Sequence, residues 1–435
     1  MKILFIHPDF PGPFEHLAPA LAADPVHAVV ALSARPDGPT LWQGVTVLPY
    51  TPADSEAATN PSWLRDFERQ TALGEAVASA ALQLKTMGFE PEVIVAPADG
   101  GEGLFLKDVW PQARLGLHAE VPPAGGPEAG PASADPLAGA RLRLQSLCHR
   151  LLAEQADAML ACAVGPAVAF PEARQRRITV VPAGIDTEAL APDPEISLTL
   201  DGQTQLARDA EVVSFAAPTL APCHGYDLFL RSLPQLLRQR PEAQVLVIGG
   251  REGPEGDTPA TGQSWHDRLV AEVRPQIDEA DWARVHFVGE VPPATRGALL
   301  QLSAVHVHLG APPSALLEAM SIGCAVVARD SAAVRELIEH DVTGHLVAGD
   351  DAPALADTVA TLLADAPARA RLGAAARALI RQRHDLRTVS LPRQIAWVQA
   401  LATPTPEAVS PLPPPAVDVP ALRESLVALQ DLLGH

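Results

Sequence analysis

Short apolar runs alternate with helical-period segments along all 435 residues. That alternation predicts an α/β protein built from two doubly wound parallel-sheet domains facing a central cleft. Two further observations carry the expectation. The length exceeds what one ordinary core accommodates. The alternation also lapses in a Pro- and Asp-bearing stretch, 187–210, and restarts at Glu211. The expected organisation is therefore an N-terminal domain over 1–186, a connector over 187–210 and a C-terminal domain over 211–384. A helix over 385–402 is expected to pack back toward the N-terminal domain.

In the first half, Lys2 to His7 reads as the opening strand, and Pro8 to Pro13 as a sharp turn at its carboxyl end. Glu15 to Ala22 is a helix, and His27 to Ser33 and Val45 to Tyr50 are strands. A long helix lies within Pro61 to Met87. The strand Glu92 to Pro97 leads into the loop Ala98-Asp99-Gly100-Gly101-Glu102-Gly103. Arg114 to Glu120 is a strand ending beside His118. Residues 121–136, rich in Pro, Gly and Ala, read as a loop at the same edge. A helix over about 136–156 and the strand Ala158 to Cys162 follow. No G-x-G-x-x-G follows the first strand, so the dinucleotide fingerprint is absent.

From Glu211 the expected elements are strands 211–217, 243–250 and 284–289, interleaved with helices 225–239, 264–277 and 294–302. The stretch Ser303 to Glu336 then packs several elements together. His306 to Leu309 ends a strand, and Gly310-Ala311-Pro312-Pro313 breaks it. Ser314 is a suitable N-cap for the helix Ala315 to Ile322, which Gly323 stops. Cys324 to Ala328 is wholly apolar, as parallel strands covered on both faces are. Gly344 to Ala348 is a strand, and three helices lie between Pro353 and Leu401.

Composition excludes several classes. A net charge of −20 lacks the clustered cations that nucleic acid or an anionic membrane surface requires. Lysine occurs only at Lys2, Lys85 and Lys107. The four cysteines, Cys148, Cys162, Cys223 and Cys324, have no metal-type spacing and read as buried thiols of a reducing compartment. No apolar run reaches the ~18 residues that span a bilayer. The N-terminal run is a strand start rather than a signal peptide, so the expected location is cytoplasmic.

Two segments are specific: Ile178 to Asp186, ITVVPAGID, and Leu316 to Leu337, LLEAMSIGCAVVARDSAAVREL. With FPGPFEHLAPAL after the first strand, they resemble the family 4 glycosyltransferases, retaining enzymes of the GT-B fold with two Rossmann-like domains. The resemblance covers roughly residues 1–400. It implies transfer of a sugar from a nucleotide diphosphate sugar to a glycan, lipid or protein acceptor. The leaving phosphate assists the attack, with no protein nucleophile and no metal or other cofactor. The competing reading is a GT-B homologue that has lost catalysis and binds a nucleotide or a partner. A nucleotide-sugar epimerase shares the fold but finds no supporting residue here.

By the same resemblance Glu318 would hold the ribose hydroxyls, since a carboxylate can accept from two adjacent donors. Leu317, Gly225 and the Gly12 loop would border the donor. The family also carries an Arg and a Lys or second Arg for the diphosphate, and a first Glu separated from the second by seven residues. Here Pro218 and His224 stand at the cation positions and Gly310 at the first Glu. Arg251 and Arg329, at carboxyl ends of expected strands, are candidate replacement cations, and His224 a weaker one. In the loop after the fourth strand the family's His-Pro-Gly-Trp-Gly-Glu survives as Gly101 and Glu102, with Pro97 in place of the histidine. Ala163-Val164-Gly165-Pro166 replaces an expected polar helix start.

His118 is a candidate hydrogen-bond donor to the sugar, against the alternative of a satisfied strand-end histidine. His306 and His308 share a strand face but lack a third ligand at a recognisable spacing. Finally, residues 403–420 carry seven prolines and read as a stiff linker. Leu422, Leu426, Leu429 and Leu433 place a short amphipathic helix at 421–435, a docking element for a partner or for the protein's own surface, against the alternative of a segment that frays in solution.

Overall fold

The computed structural model describes residues 1–52, 64–119, 144, 146–163, 177–182, 184–200, 204–251, 263–310 and 314–403. The expectations for 121–136, for the start of the helix over 136–156 and for residues 164–166 lie outside these residues. So do those for 311–313, for the Pro-rich linker beyond Thr403 and for the helix at 421–435.

The N-terminal sheet has eight strands. They are β1 (Lys2–Ile6), β2 (Ala28–Ser33), β3 (Leu41–Trp42), β4 (Val45–Pro49), β5 (Val93–Pro97), β6 (Arg114–Ala119), β7 (Ala158–Ala161) and β8 (Ile178–Val180). Their spatial order is β3-β4-β2-β1-β5-β6-β7-β8. All neighbours are parallel except β3, a two-residue edge strand antiparallel to β4 that the apolar-run reading did not anticipate. β1 is fully buried from Ile3 to Ile6, which explains its continuous apolar sequence. The helix Arg65–Thr86 covers one face with Val77, Ala81 and Leu84.

The connector contains structure too. β9 (Ser197–Leu200) and β10 (Thr204–Ala207) pair as an antiparallel hairpin, where the sequence reading expected an irregular stretch. Leu206 is buried against Val212 and Leu302, so the hairpin rests on the second domain.

The C-terminal sheet is wholly parallel. Its strands are β11 (Val212–Thr219), β12 (Gln244–Gly250), β13 (Val285–Gly289), β14 (Val305–His308), β15 (Ala325–Arg329) and β16 (His345–Val347). The order β13-β12-β11-β14-β15-β16 is that of a dinucleotide-binding fold, with its switch point between β11 and β14. In the N-terminal sheet the order turns between β1 and β5 in the same way. Ligands of doubly wound sheets lie outside the carboxyl ends at such points, so the topology alone nominates two loop pairs. One comprises the loops after β1 and β5, the other the loops after β11 and β14.

The chain passes between the sheets at two places, and these are tied together. Thr187 Oγ1 donates to Asp385 Oδ2 at 2.6 Å, Ile185 N–H donates to the His384 carbonyl, and Leu386 N–H donates to the Ile185 carbonyl. Arg377 donates to the carbonyls of Thr187, Leu190 and Ser321. The helix Leu391–Ala402 then lies on the N-terminal sheet. Trp397, Val398 and Leu401 join a core with Ile3, Phe5, Phe14 and Leu17. A Cβ on Gly116 of β6 would lie 2.5 Å from the Trp397 ring, so the bare glycine admits the indole. Among the described residues, no helix is long and apolar enough to cross a membrane.

Candidate functional site

Glu318 sits in the helix Ser314–Ile322, every described residue of which beyond Ser314 is buried. Packing explains six of those positions, Ala315, Leu316, Leu317, Ala319, Met320 and Ile322, and a hydrogen bond to the Leu190 carbonyl explains a seventh, Ser321. A carboxylate there needs a partner, and the partner is Arg296, from the helix Pro293–Leu302 alongside. Arg296 Nε donates to Glu318 Oε2 at 2.7 Å and Nη2 to Oε1 at 2.6 Å, a bidentate pair. The Glu318 side chain is 10% exposed and that of Arg296 27%. The hydrogen bonds to Glu318 hold the guanidinium above its usual range.

Arg296 is also part of the wall of a cavity of about 200 Å³. The cavity runs along the carboxyl ends of β11, β12 and β13, with Pro218, Gly249, Glu290 and Ser314 among its lining. Two of the guanidinium's five N–H groups serve Glu318. Among the described residues no acceptor takes the other three. Helix Tyr226–Gln239 begins at the same edge with no side-chain cap, and free N–H groups at a helix N-terminus favour anions.

The switch-point loops interlock. Gly225 has φ +74° and stops the turn Pro222–His224; a Cβ there would overlap Leu309. A Cβ on Gly310 would lie 2.5 Å from His224 Cα. The glycine at 310 is therefore a packing requirement of the loop that carries His224, and no side chain fits there without displacing that loop. His224 Nδ1 is buried without a hydrogen-bond partner among the described residues.

The remaining sequence candidates distribute as follows. Arg329 ends β15 and pairs with Asp350 at 2.7 Å, while its Nε is buried without a partner among the described residues. Arg251 follows β12 and is exposed, and its charge reaches the Tyr226–His266 pair, hydrogen-bonded at 2.8 Å. The Leu317 side chain is 3% exposed within the core containing Leu316, Met320 and Val326, so a donor contact there falls to its backbone and not its side chain. Ser314 is the first residue of its helix rather than a cap outside it. Arg296 itself was missed. The signal that would have found it is Glu318, a carboxylate amid apolar residues whose cation had to come from a neighbouring helix.

On the N-terminal side, Gly12 has φ +45° and a Cβ there would strike the His7 ring, so the β1 loop folds onto His7 only with glycine. His118 lies 5.4 Å from the Phe14 ring centroid with Cys162 Sγ 3.6 Å from its Nε2. Burial, reinforced by His7, pushes it down to about 4, so it is neutral at pH 7.

His306 and His308 are buried along β14, their rings 6.3 Å apart, and His306 Nδ1 is 2.9 Å from Ser214 Oγ. Burial pushes His306 to about 3 and His308 to about 4. They are neutral core histidines. Among the described residues one set of His and carboxylate atoms does converge: His340, Asp341 and His345, on the turn before β16. Leu346 N–H donates to His340 Nδ1, which leaves the proton of the neutral ring on Nε2, facing Asp341 Oδ2. That is a hydrogen-bonded turn and not a ligand set.

The chain matches two family models, the Glycosyl transferase family 4 group over residues 25–190 and the Glycosyl transferases group 1 over residues 202–379. A GDP-mannose-dependent alpha-(1-6)-phosphatidylinositol monomannoside mannosyltransferase of Mycolicibacterium smegmatis is 31% identical over 223 residues, 50% of this chain and 53% of that protein. A D-inositol 3-phosphate glycosyltransferase of Xylanimonas cellulosilytica is 31% identical over 218 residues, 47% of this chain and 48% of that protein. The chain thus spans about half the length of these curated relatives.

Solved structures agree on the fold. HepE of Anabaena, in complex with UDP and glucose, is 20% identical over 92% of this chain and 99% of its own, with a TM-score of 0.64. Sucrose-phosphate synthase of Thermosynechococcus elongatus is 18% identical over 92% and 99%, with a TM-score of 0.67. With one model matched on each side of the connector and the two-sheet fold shared along nearly its whole length, the chain belongs to the family 4 glycosyltransferases of the GT-B fold.

Proposed function

We propose that this protein is a glycosyltransferase that takes a nucleoside diphosphate sugar in its C-terminal domain. The observation that carries the proposal is the bidentate Arg296–Glu318 pair, whose arginine lines the cavity beside the β11–β14 switch point. Glu318 keeps lone pairs for ribose hydroxyls while Arg296 holds it in one orientation. Arg296 offers its spare N–H groups to the phosphates and so stands in for the cations absent at Pro218 and His224. The curated relatives support this donor class, since several are named for their dependence on GDP-mannose.

In the proposed reaction the bond between the anomeric carbon and the β-phosphate oxygen breaks. The acceptor oxygen bonds to the same face of that carbon, and its proton passes to the departing phosphate. Configuration is retained, and no protein nucleophile takes part. What the protein supplies is orientation and charge aimed at the leaving diphosphate. Removing one such preorganised donor typically costs ~3 kcal/mol, roughly a hundredfold in rate.

The test is calorimetric titration with UDP and GDP, paired with release of nucleotide from UDP-glucose and GDP-mannose. Saturable binding that weakens in Arg296→Ala supports the assignment. A chain that binds no nucleotide refutes it.

A further inference from the structure

The helix Arg65–Thr86 turns Val77, Ala81 and Leu84 onto the N-terminal sheet and its other side outward. Along that outer side, beside Phe105, runs a groove of about 630 Å³. Glu68, Thr71, Glu75, Ala78 and Leu82 line it at helical spacing, so it follows one stripe of the helix for about 21 Å. Leu82 is 54% exposed at one end. Glu75 is exposed and meets no cation among the described residues. A groove of this kind suits an amphipathic helix that lays its apolar face inward and brings a cation to the edge.

One stretch of this chain has that form. On a helical wheel Leu422, Leu426, Leu429 and Leu433 fall within about 60° of one another, a stripe about 17 Å long. Arg423 borders the stripe, and Glu424 and Asp431 fall on the opposite side. The acidic residues that Glu68 and Glu75 would repel are thus turned away, and the cation is at the rim. Asp418 and Pro420 stand where helix-start signals belong, and Gly434 where a stop does.

The tether is long enough. The helix Leu391–Ala402 lies on the sheet face that carries Ile3 and Phe5, and the helix Arg65–Thr86 on the face that carries Leu4 and Ile6. Passing from the first helix to the outer side of the second traverses three layers of about 10 Å each. Residues 404–420, with seven prolines, span about 50 Å when extended. A tether of this length holds the leucine stripe near the groove at an effective concentration approaching the order of mM. Residues 421–435 are too few to hold a helix alone, and the groove supplies the apolar partner they lack.

We infer that residues 421–435 form a helix seated in this groove of their own chain, with the four leucines against Ala78, Leu82 and Phe105 and Arg423 beside Glu75. The end of the chain then clasps the N-terminal domain from both faces, through Trp397 on one and the leucine stripe on the other.

Hydrogen exchange of the full chain, read by mass spectrometry on peptides from 65–86 and 421–435, tests the docking. Both segments should be protected. Leu426→Asp combined with Leu429→Asp should speed exchange in both by about fivefold or more, and leave the helix Tyr226–Gln239 within about twofold. These substitutions lie in the tail and leave the sequence of the folded body unchanged. Glu75→Arg should act in the same direction, and adding Arg423→Glu should restore protection. Random-coil exchange across 421–435 in the unaltered chain overturns the inference, whether the tail is free or awaits another protein. So does protection of 65–86 that the tail substitutions do not move. Protection that rises with protein concentration also overturns it, and assigns the groove to the tail of a second copy.

Discussion

A Cβ placed on Gly310 would lie 2.5 Å from the Cα of His224. These are two of the positions at which the sequence reading expected a departure from the family pattern, and the contact couples them mechanically. The loop after β11 sits against the loop after β14, and each is shaped by what the other lacks. Restoring a side chain at 310 therefore does not restore a family site. Gly310→Ala is expected to destabilise the fold by about 1–3 kcal/mol through overpacking. Gly310→Glu is expected to do so without raising turnover. Denaturant melts and nucleotide-release assays measure both.

The Arg296–Glu318 pair separates structural from functional roles. Arg296→Met leaves a largely buried carboxylate uncompensated and is expected to cost about 3 kcal/mol. Glu318→Leu leaves an arginine that is more exposed and should cost less. The double substitution replaces the pair with apolar groups of similar volume and is expected to be nearly neutral in stability. Nucleotide affinity should nonetheless fall in all three. A double variant that recovers affinity along with stability would reduce the pair to a structural tie.

Much of this fold was legible. β1, β12 and β15 are nearly continuous apolar runs because helices cover both faces. Gly323, with φ +78°, ends its helix as its type requires. The hairpin of β9 and β10 was not read, although Leu198 and Leu200 alternate with polar residues ahead of Asp201-Gly202, a known hairpin signal. Glu318 was legible because a carboxylate in an apolar helix is conspicuous. Arg296 was not, because its partner is 22 residues away and the pairing depends on two helices lying side by side.

The buried histidines impose a pH dependence. His118, His306 and His308 have folded pKa values pushed down by burial to about 4, 3 and 4 from the ordinary 6.5. The folded chain keeps them neutral, while the unfolded chain takes up protons below pH 6.5. Stability is therefore present above that pH and is lost as pH falls from about 6.5 toward 4. Each group contributes about 1.4 kcal/mol per pH unit, or roughly 4 kcal/mol per unit for three. Urea melts between pH 7 and 5 read the slope, which His308→Gln should lower by about a third.

The helix Leu391–Ala402 ties the chain's end to the first sheet. Trp397 is buried against Gly116 and the Phe5–Phe14 core. Trp397→Ala should cost about 3–5 kcal/mol and make the N-terminal domain the first part cut in limited proteolysis. Nucleotide affinity at the C-terminal cavity should change little by comparison.

The most direct measurement is a calorimetric titration of the full chain with UDP and with GDP, repeated on Arg296→Ala and Glu318→Gln. The Arg296–Glu318 assignment requires saturable binding of at least one of them, weakened roughly tenfold or more in each variant, as the loss of a charge-assisted hydrogen bond implies. Absence of binding, or binding that neither substitution alters, would contradict it.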